Sequence, residues 1–292
     1  MDMPVPMNAA ILPFCLWRPA LRAAPVIFAS PHSGRDYPPE FVAQARLDAI
    51  GLRRSEDSFV DELFAQAPAH GMPLLAATFP RAFCDPNREA WELDPAMFEG
   101  PLPTWVNTAS ARVGAGLGTI ARIVASGEAI YRDKLPFAEA ERRVAEYWQP
   151  YHDCLAALIE ETRAEFGSSL LIDCHSMPAH GATTRAGARG VDFVLGDAFG
   201  TSCMPRITKR VEEVLTGLGY VVRRNDPYAG GYVTRHYGRP RERTHALQIE
   251  IARSLYMDEA RIERLPVFDA VRADLSLLVT TLAKETSGLL DA

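Results

Sequence analysis

The sequence predicts an α/β fold in which helices cover both faces of a largely parallel sheet. Three observations point there. Short apolar runs alternate with longer amphipathic stretches along the chain. The segment Leu170 to Pro178, "LLIDCHSMP", is an apolar run that stops at Asp173-Cys174-His175-Ser176, with Pro178 blocking simple continuation. The segment "PVIFASPHSGRDYPPE" repeats the arrangement, with Val26 to Ala29 leading into Pro31-His32-Ser33-Gly34. A buried run ending in a histidine sets an imidazole at the carboxyl edge of a sheet, where open α/β folds bind their ligands. Two such ends suggest a metal site assembled from distant parts of the chain.

Taken in order, strands are expected near 26–29, 73–79, 170–174, 191–195, 220–223 and 246–251. Helices are expected near 39–50, 55–67, 138–166, 202–218 and 266–286, with Pro150 breaking or kinking the third of these. Ser55 reads as the N-cap of the second helix, with Glu56 and Asp57 in its first turn, where carboxylates suit the helix dipole. Val60, Leu63 and Phe64 supply the apolar stripe of that helix. The stretch from Gly181 to Gly190, "GATTRAGARG", is small, polar and glycine-rich, and as a loop close to His175 it is placed to act as a lid. The stretch "NDPYAGGYVTRHYGRP" mixes turn formers with aromatic and cationic groups, the composition of a surface loop at a site.

The chain has 292 residues with no repeat, low-complexity tract or linker, and is read as one domain over 1–292. Its net charge of −6 argues against a nucleic-acid surface. No apolar run approaches the ~20 residues that span a bilayer. The amino-terminal "MDMPVPMNAAILPFCLWRP" carries an acid and no Lys or Arg before its short apolar patch, a poor secretory signal. Five scattered cysteines without a C-x-x-C pair argue against a disulfide framework or a cysteine zinc knot, and a reducing cytoplasm is the expected compartment.

Zinc takes neutral imidazole and carboxylate, and a catalytic site keeps a fourth position open for water. His32 and His175 supply imidazoles, and Glu56 or Asp57 is the nearest acid in sequence. In "HALQIEIARSLYMDE", Gln248, Glu250 and Ala252 alternate with Leu247, Ile249 and Ile251, so Glu250 falls on a strand among apolar neighbours. A buried acid needs a partner or a job. The alternatives are an ion pair to Arg235 or Arg253, and a general base whose pKa is raised by desolvation. A serine or cysteine nucleophile is disfavoured, because neither "PHSG" nor "DCHS" forms a G-x-S-x-G elbow. His180 and His236 read as solvent-facing loop histidines, and His70, His152 and His245 take no role.

The motifs "SPHSGRDYP", "SEDSFVDELF", "RAFCDPNRE", "DCHSMP", "NDPYAGGYVTRHYGRP" and "HALQIEI" occur in the order seen in the N-formylglutamate amidohydrolase family, which the chain resembles from about Pro25 to Asp258. The resemblance implies a zinc-carboxypeptidase-like, three-layer αβα fold around a mixed, mainly parallel sheet. It implies a zinc-dependent hydrolase of a linear amide C–N bond, releasing formate from N-formyl-L-glutamate in histidine breakdown. It assigns one zinc ion to His32, Asp57 and His175, and acid/base chemistry to Glu250. It places Arg81, Asp85, Asn87 and Arg88 near the substrate. Arg81, Arg88 and Arg235 become the groups for the oxyanion and for a substrate carboxylate, with Tyr228 and Tyr232 shaping the pocket. The substrate class is a small anionic amino-acid derivative. Two departures stand out: Arg35 lies three residues after His32, where carboxypeptidases carry an acid, and Ala252 replaces a polar residue of many relatives. Rival readings are a zinc hydrolase of another N-acyl amino acid or small amide, and a non-catalytic binding protein on the same scaffold.

Overall fold

A computed structural model describes residues 12–178 and 190–291. In chain order the elements are β1 (Phe14–Trp17), β2 (Val26–Ser30), α1 (Pro39–Gln44), α2 (Ala49–Arg53), α3 (Val60–Leu63), β3 (Leu74–Ala77), α4 (Ala111–Gly114), α5 (Phe137–Arg143), α6 (Gln149–Phe166), β4 (Ser169–Met177), β5 (Phe193–Gly196), α7 (Pro205–Gly217), β6 (Val222–Arg224), α8 (Tyr232–Tyr237), β7 (Thr244–Ala252) and α9 (Phe268–Asp291). Seven strands form one sheet in the order β1-β3-β2-β4-β7-β5-β6. The pairs β3–β2, β2–β4, β4–β7 and β5–β6 are parallel, while β1–β3 and β7–β5 are antiparallel. The sheet is therefore mixed and mainly parallel, as expected.

Alternation along the central strands separates two cores. Val26, Phe28, Leu170, Ile172, Leu247 and Ile249 pack with α3, α7 and α9. Ile27, Ala29, Leu171 and Ala246 face the opposite way and pack with α1, α2, α6 and α8. Helices cover both faces, so the backbone polar groups of the central strands are paired within the sheet while their side chains are shielded from water. Among the described residues no helix is long and apolar enough to cross a membrane.

Several local expectations are corrected. The helix expected over 55–67 shrinks to α3, and Ser55 does not cap it. Its hydroxyl accepts from the Ala125 amide, and the residue before α3 is Phe59 at φ 68°. The Asp57 amide instead bonds to the His32 carbonyl at 3.0 Å, which draws this segment out of helix and toward the sheet edge. The helix expected over 39–50 splits at Ala45, which bridges to Tyr131, and restarts where Asp48 caps α2 through the Gly51 amide. Pro150 does not break the long helix. It lies in the first turn of α6, and a wider π turn at Val144–Trp148 joins α6 to α5 without needing the missing proline N–H. The edge strand β1 falls in the short amino-terminal apolar patch, for which the sequence predicts no strand. The expected lid segment falls almost entirely at 179–189, and with His180 it lies outside the described residues.

Candidate active site

The site is built on β4 and β7. Their parallel register sets Asp173 beside Gln248 and His175 beside Glu250. These four polar residues share a face with Leu171 and Ala246, so two polar rungs sit above an apolar base. His32 arrives on the turn just after β2. Gly34 makes that turn possible, since a Cβ there would fall 2.1 Å from the Phe79 carbonyl oxygen.

His32, Asp57 and His175 converge and are buried. One potential ligand atom from each lies within 4.8 Å of the others. The two imidazoles meet edge-on with centroids 4.7 Å apart. Nδ1 of His175 lies 3.0 Å and Nδ1 of His32 lies 3.4 Å from the same Asp57 oxygen, Oδ2. Among the described residues the His32 Nδ1 has no hydrogen-bond partner, an orphaned buried atom at the cluster. Each ring is backed by a carboxylate: His32 Nε2 by Asp85 at 2.7 Å, His175 Nε2 by Asp173 at 3.0 Å. Two imidazoles and a carboxylate, with carboxylates orienting the far ring nitrogens, is a donor set suited to a divalent cation.

The charges reinforce one another. Burial opposes ionisation of Asp57, but His175 and His32 hold its carboxyl well below the usual range. Burial likewise opposes charge on His175, yet Asp173 and Asp57 hold its pKa well above the usual histidine value. The other Asp57 oxygen accepts from Arg253 at 3.0 Å, and that arginine also donates to Ser176 Oγ and the Arg54 carbonyl. Asp85 is held low against its burial by Arg81, His32 and Arg88. Glu250 goes the other way. Burial pushes it up to about 7, with Asp57 and Asp173 adding and His175 and Arg81 opposing.

Glu56 is eliminated from the cluster. Its oxygens are engaged by Arg53, Tyr37 and Ser58. The anticipated ion pair of Glu250 with Arg235 or Arg253 is not formed among the described residues; Gln248 Nε2 donates to Glu250 at 2.9 Å instead. Gln248 in turn accepts from the Gly231 amide at 2.8 Å, tying β7 to the loop before α8. Gly231 must be small, because a Cβ would lie 2.4 Å from the Asn87 side chain.

Two adjoining cavities, of about 250 and 210 Å³, share Arg81, Arg88, Arg112, Tyr228 and Glu250. The smaller also reaches His32, Asn87, His175 and Arg235. Of the expected substrate residues, Arg81, Asn87, Arg88, Tyr228 and Arg235 therefore line the site. Tyr232 does not. Its ring packs on Trp148, His152 and His236 behind α8. Asn87 touches the site through its amide nitrogen, 3.0 Å from His175 Nε2, while its oxygen accepts from Val233. Sequence reasoning missed the role of Asp173 behind His175, of Gln248 under Glu250, of Arg253 on Asp57, and the presence of Arg112. For Asp173 and Gln248 a signal existed: both share the period-two parity of His175 and Glu250. Cys174 is on the other face, its thiol pushed well up by burial, which is no nucleophile's setting.

Fold and site together define a class: an α/β protein with a buried His–Asp–His cluster, fit for a divalent cation, at the carboxyl edge of its sheet. The comparisons narrow this. The family model described as N-formylglutamate amidohydrolase matches residues 24–257, and the chain belongs to that family. It is 33% identical over 264 residues to an N-formylglutamate deformylase of Pseudomonas aeruginosa, covering 89% of this chain and 90% of that protein. It is 30% identical over 240 residues to an N-formylglutamate deformylase of Pseudomonas putida, covering 80% and 82%. Among solved structures, an N-formylglutamate amidohydrolase from Ralstonia eutropha superposes with a TM-score of 0.88 at 41% identity, over 94% of this chain and 98% of that one.

Proposed function

We propose that the chain is a zinc-dependent amidohydrolase that cleaves N-formyl-L-glutamate to L-glutamate and formate. The observation that carries this reading is the His32–Asp57–His175 cluster, with a carboxylate behind each imidazole and Glu250 beside His175. The names of the homologous deformylases support the substrate. Membership of an amidohydrolase family supports hydrolysis of an amide.

A zinc ion held by these three residues would supply Lewis acidity toward the formyl carbonyl and acidify water at neutral pH. Glu250 takes the proton of the attacking water and passes it to the amide nitrogen as the C–N bond breaks, so that free amine and formate leave. Its raised pKa, near 7, suits both halves of that transfer. Gln248 fixes the Glu250 carboxylate from below. Arg81, anchored by Asp85 at 2.8 Å, presents a cation to the charge that develops on the formyl oxygen. Arg235 and Tyr228 line the chamber for the amino-acid part.

The test is metal content and formate release for the wild type and Glu250→Gln. The variant is expected to keep its zinc and to lose roughly 10²- to 10⁴-fold in turnover. Near-normal turnover would remove Glu250 from the chemistry. Full activity in chelated, zinc-free protein would remove the metal.

A further inference from the structure

We propose that Arg112 selects for the side-chain carboxylate of the substrate, so that the site prefers N-formyl dicarboxylic amino acids to their neutral counterparts. The proposal rests on the deformylase reading above and names the group that would give it specificity.

The other arginines that line the cleft are largely committed. Arg81 donates to Asp85. Arg88 donates to the carbonyls of Leu117 and Asn87, at 2.9 and 2.7 Å, and lies 3.8 Å from Asp85. Arg253 is held by Asp57, Ser176 and Arg54. Arg235 gives its Nε to the Gly230 carbonyl. Arg112 differs from all of them. Its side chain lines both cavities at their shared wall, is exposed, and has no hydrogen bond or ion pair among the described residues.

The backbone beneath it is fixed. Arg112 stands in α4, where the Ser110 hydroxyl accepts from the Val113 amide at 3.0 Å, donates to Glu92, and Val113 is buried. The guanidinium thus projects from an anchored turn. The cleft around it carries more positive charge than its acids answer, because Asp57 and Asp85 are already shared among His32, His175, Arg81 and Arg253. Arg88 registers the crowding: after burial, the nearby charges of Arg81 and Arg112 help bring it down to about 10, against the pull of Asp85.

An unpartnered guanidinium facing a cationic cleft is a receptor for a carboxylate, which its planar fork binds through two parallel hydrogen bonds. N-formylglutamate carries two carboxylates and its neutral isostere N-formylglutamine one. Arg235, which lines only the chamber holding His32 and His175, suits the carboxylate next to the formyl amide. Arg112, reaching both cavities, suits the distal one.

The test compares N-formylglutamate with N-formylglutamine on zinc-loaded wild type and Arg112→Gln. The ratio of kcat/KM between the two substrates should fall roughly 10- to 100-fold in the variant, as expected for a lost charge-assisted hydrogen-bond pair. The change should appear in KM rather than kcat, because the distal group is remote from the breaking bond. Zinc content should not change, and Arg112→Lys should recover part of the ratio. An unchanged ratio, or equal loss on both substrates, would overturn the role of Arg112 while leaving the deformylase reading intact. A wild type that releases formate from neither substrate would overturn that reading, and this assignment with it.

Discussion

The two faces of β4 and β7 differ sharply in chemistry. On one face Leu170, Ile172, Cys174, Leu247, Ile249 and Ile251 join the apolar core under α7 and α9. On the other, one residue away at every step, Asp173, His175, Gln248 and Glu250 are also buried. The first face contributes stability in proportion to the apolar area it removes from water. The second gives that up, and burying four polar groups is tolerable only if each is partnered. Most are: Gln248 bridges Gly231 and Glu250, His175 lies between Asp57 and Asp173, and Asp57 is tied to Arg253. The exception is informative: among the described residues His32 Nδ1 lacks a hydrogen bond, and it lies at the cluster proposed to hold the ion. Stability and chemistry are thus divided by strand parity within a single pair of strands.

If the division is real, substitutions on adjacent residues should separate cleanly. Ile249→Ala empties fully buried space between Gln248 and Glu250 in sequence but on the opposite face, and should cost about 2–5 kcal/mol of stability by urea unfolding. Its kcat/KM, measured where the variant remains folded, should stay close to that of the wild type. A collapse of activity in folded Ile249→Ala would show that the two faces are mechanically one. A smaller effect is expected at the loop carboxylate that supports the metal cluster beside the polar face. Asp85→Asn removes the negative charge behind His32 and should weaken zinc binding about 10- to 100-fold in a chelator competition. Unaltered affinity would mean that Asp85 serves only to hold Arg81.

This division was partly legible in the sequence. Alternation is a local property with period two, so the Gln248–Glu250 face and the strand-ending His32 and His175 could be read directly. The choice between Glu56 and Asp57 could not. Both acids sit side by side, and local preference favoured a helix start at Ser55. The loop instead takes a non-helical path because the Asp57 amide bonds to the His32 carbonyl, a contact across 25 positions, which tertiary structure imposes over propensity. Only the resemblance pointed to Asp57. Arg112 reaches the site from a segment with no motif of its own, and nothing local marks it; Arg253, which the sequence offers as a partner for Glu250, pairs with Asp57 instead. The same holds for Tyr232, whose loop motif suggested the pocket but whose ring turns toward Trp148.

The smallest expected effect concerns acid pH and tests whether the helical layer behind the polar face shares its vulnerability. His152 on α6 is buried, stacks on Trp148 at 3.9 Å, and holds Tyr237 and the Pro86 carbonyl, both at 2.8 Å. Pro86 sits between Asp85 and Asn87, so this imidazole supports the segment that backs both His32 and His175. Burial brings its pKa down from 6.5 to about 4. The folded state therefore keeps His152 neutral while the unfolded chain protonates it between those values. Stability present above pH 6.5 should be lost as pH falls toward 4, with a slope of up to ~1.4 kcal/mol per pH unit from this group. Urea midpoints for wild type and His152→Gln at pH 7, 6 and 5 should show the variant losing less per unit of pH, whatever its stability at pH 7. His245, also brought to about 4 by burial and then by Arg206 and Arg243, titrates in the same window in both proteins and cancels in the comparison. Parallel pH profiles for the two proteins would mean that His152 gains its proton without opening the layer, and that the acid sensitivity lies elsewhere.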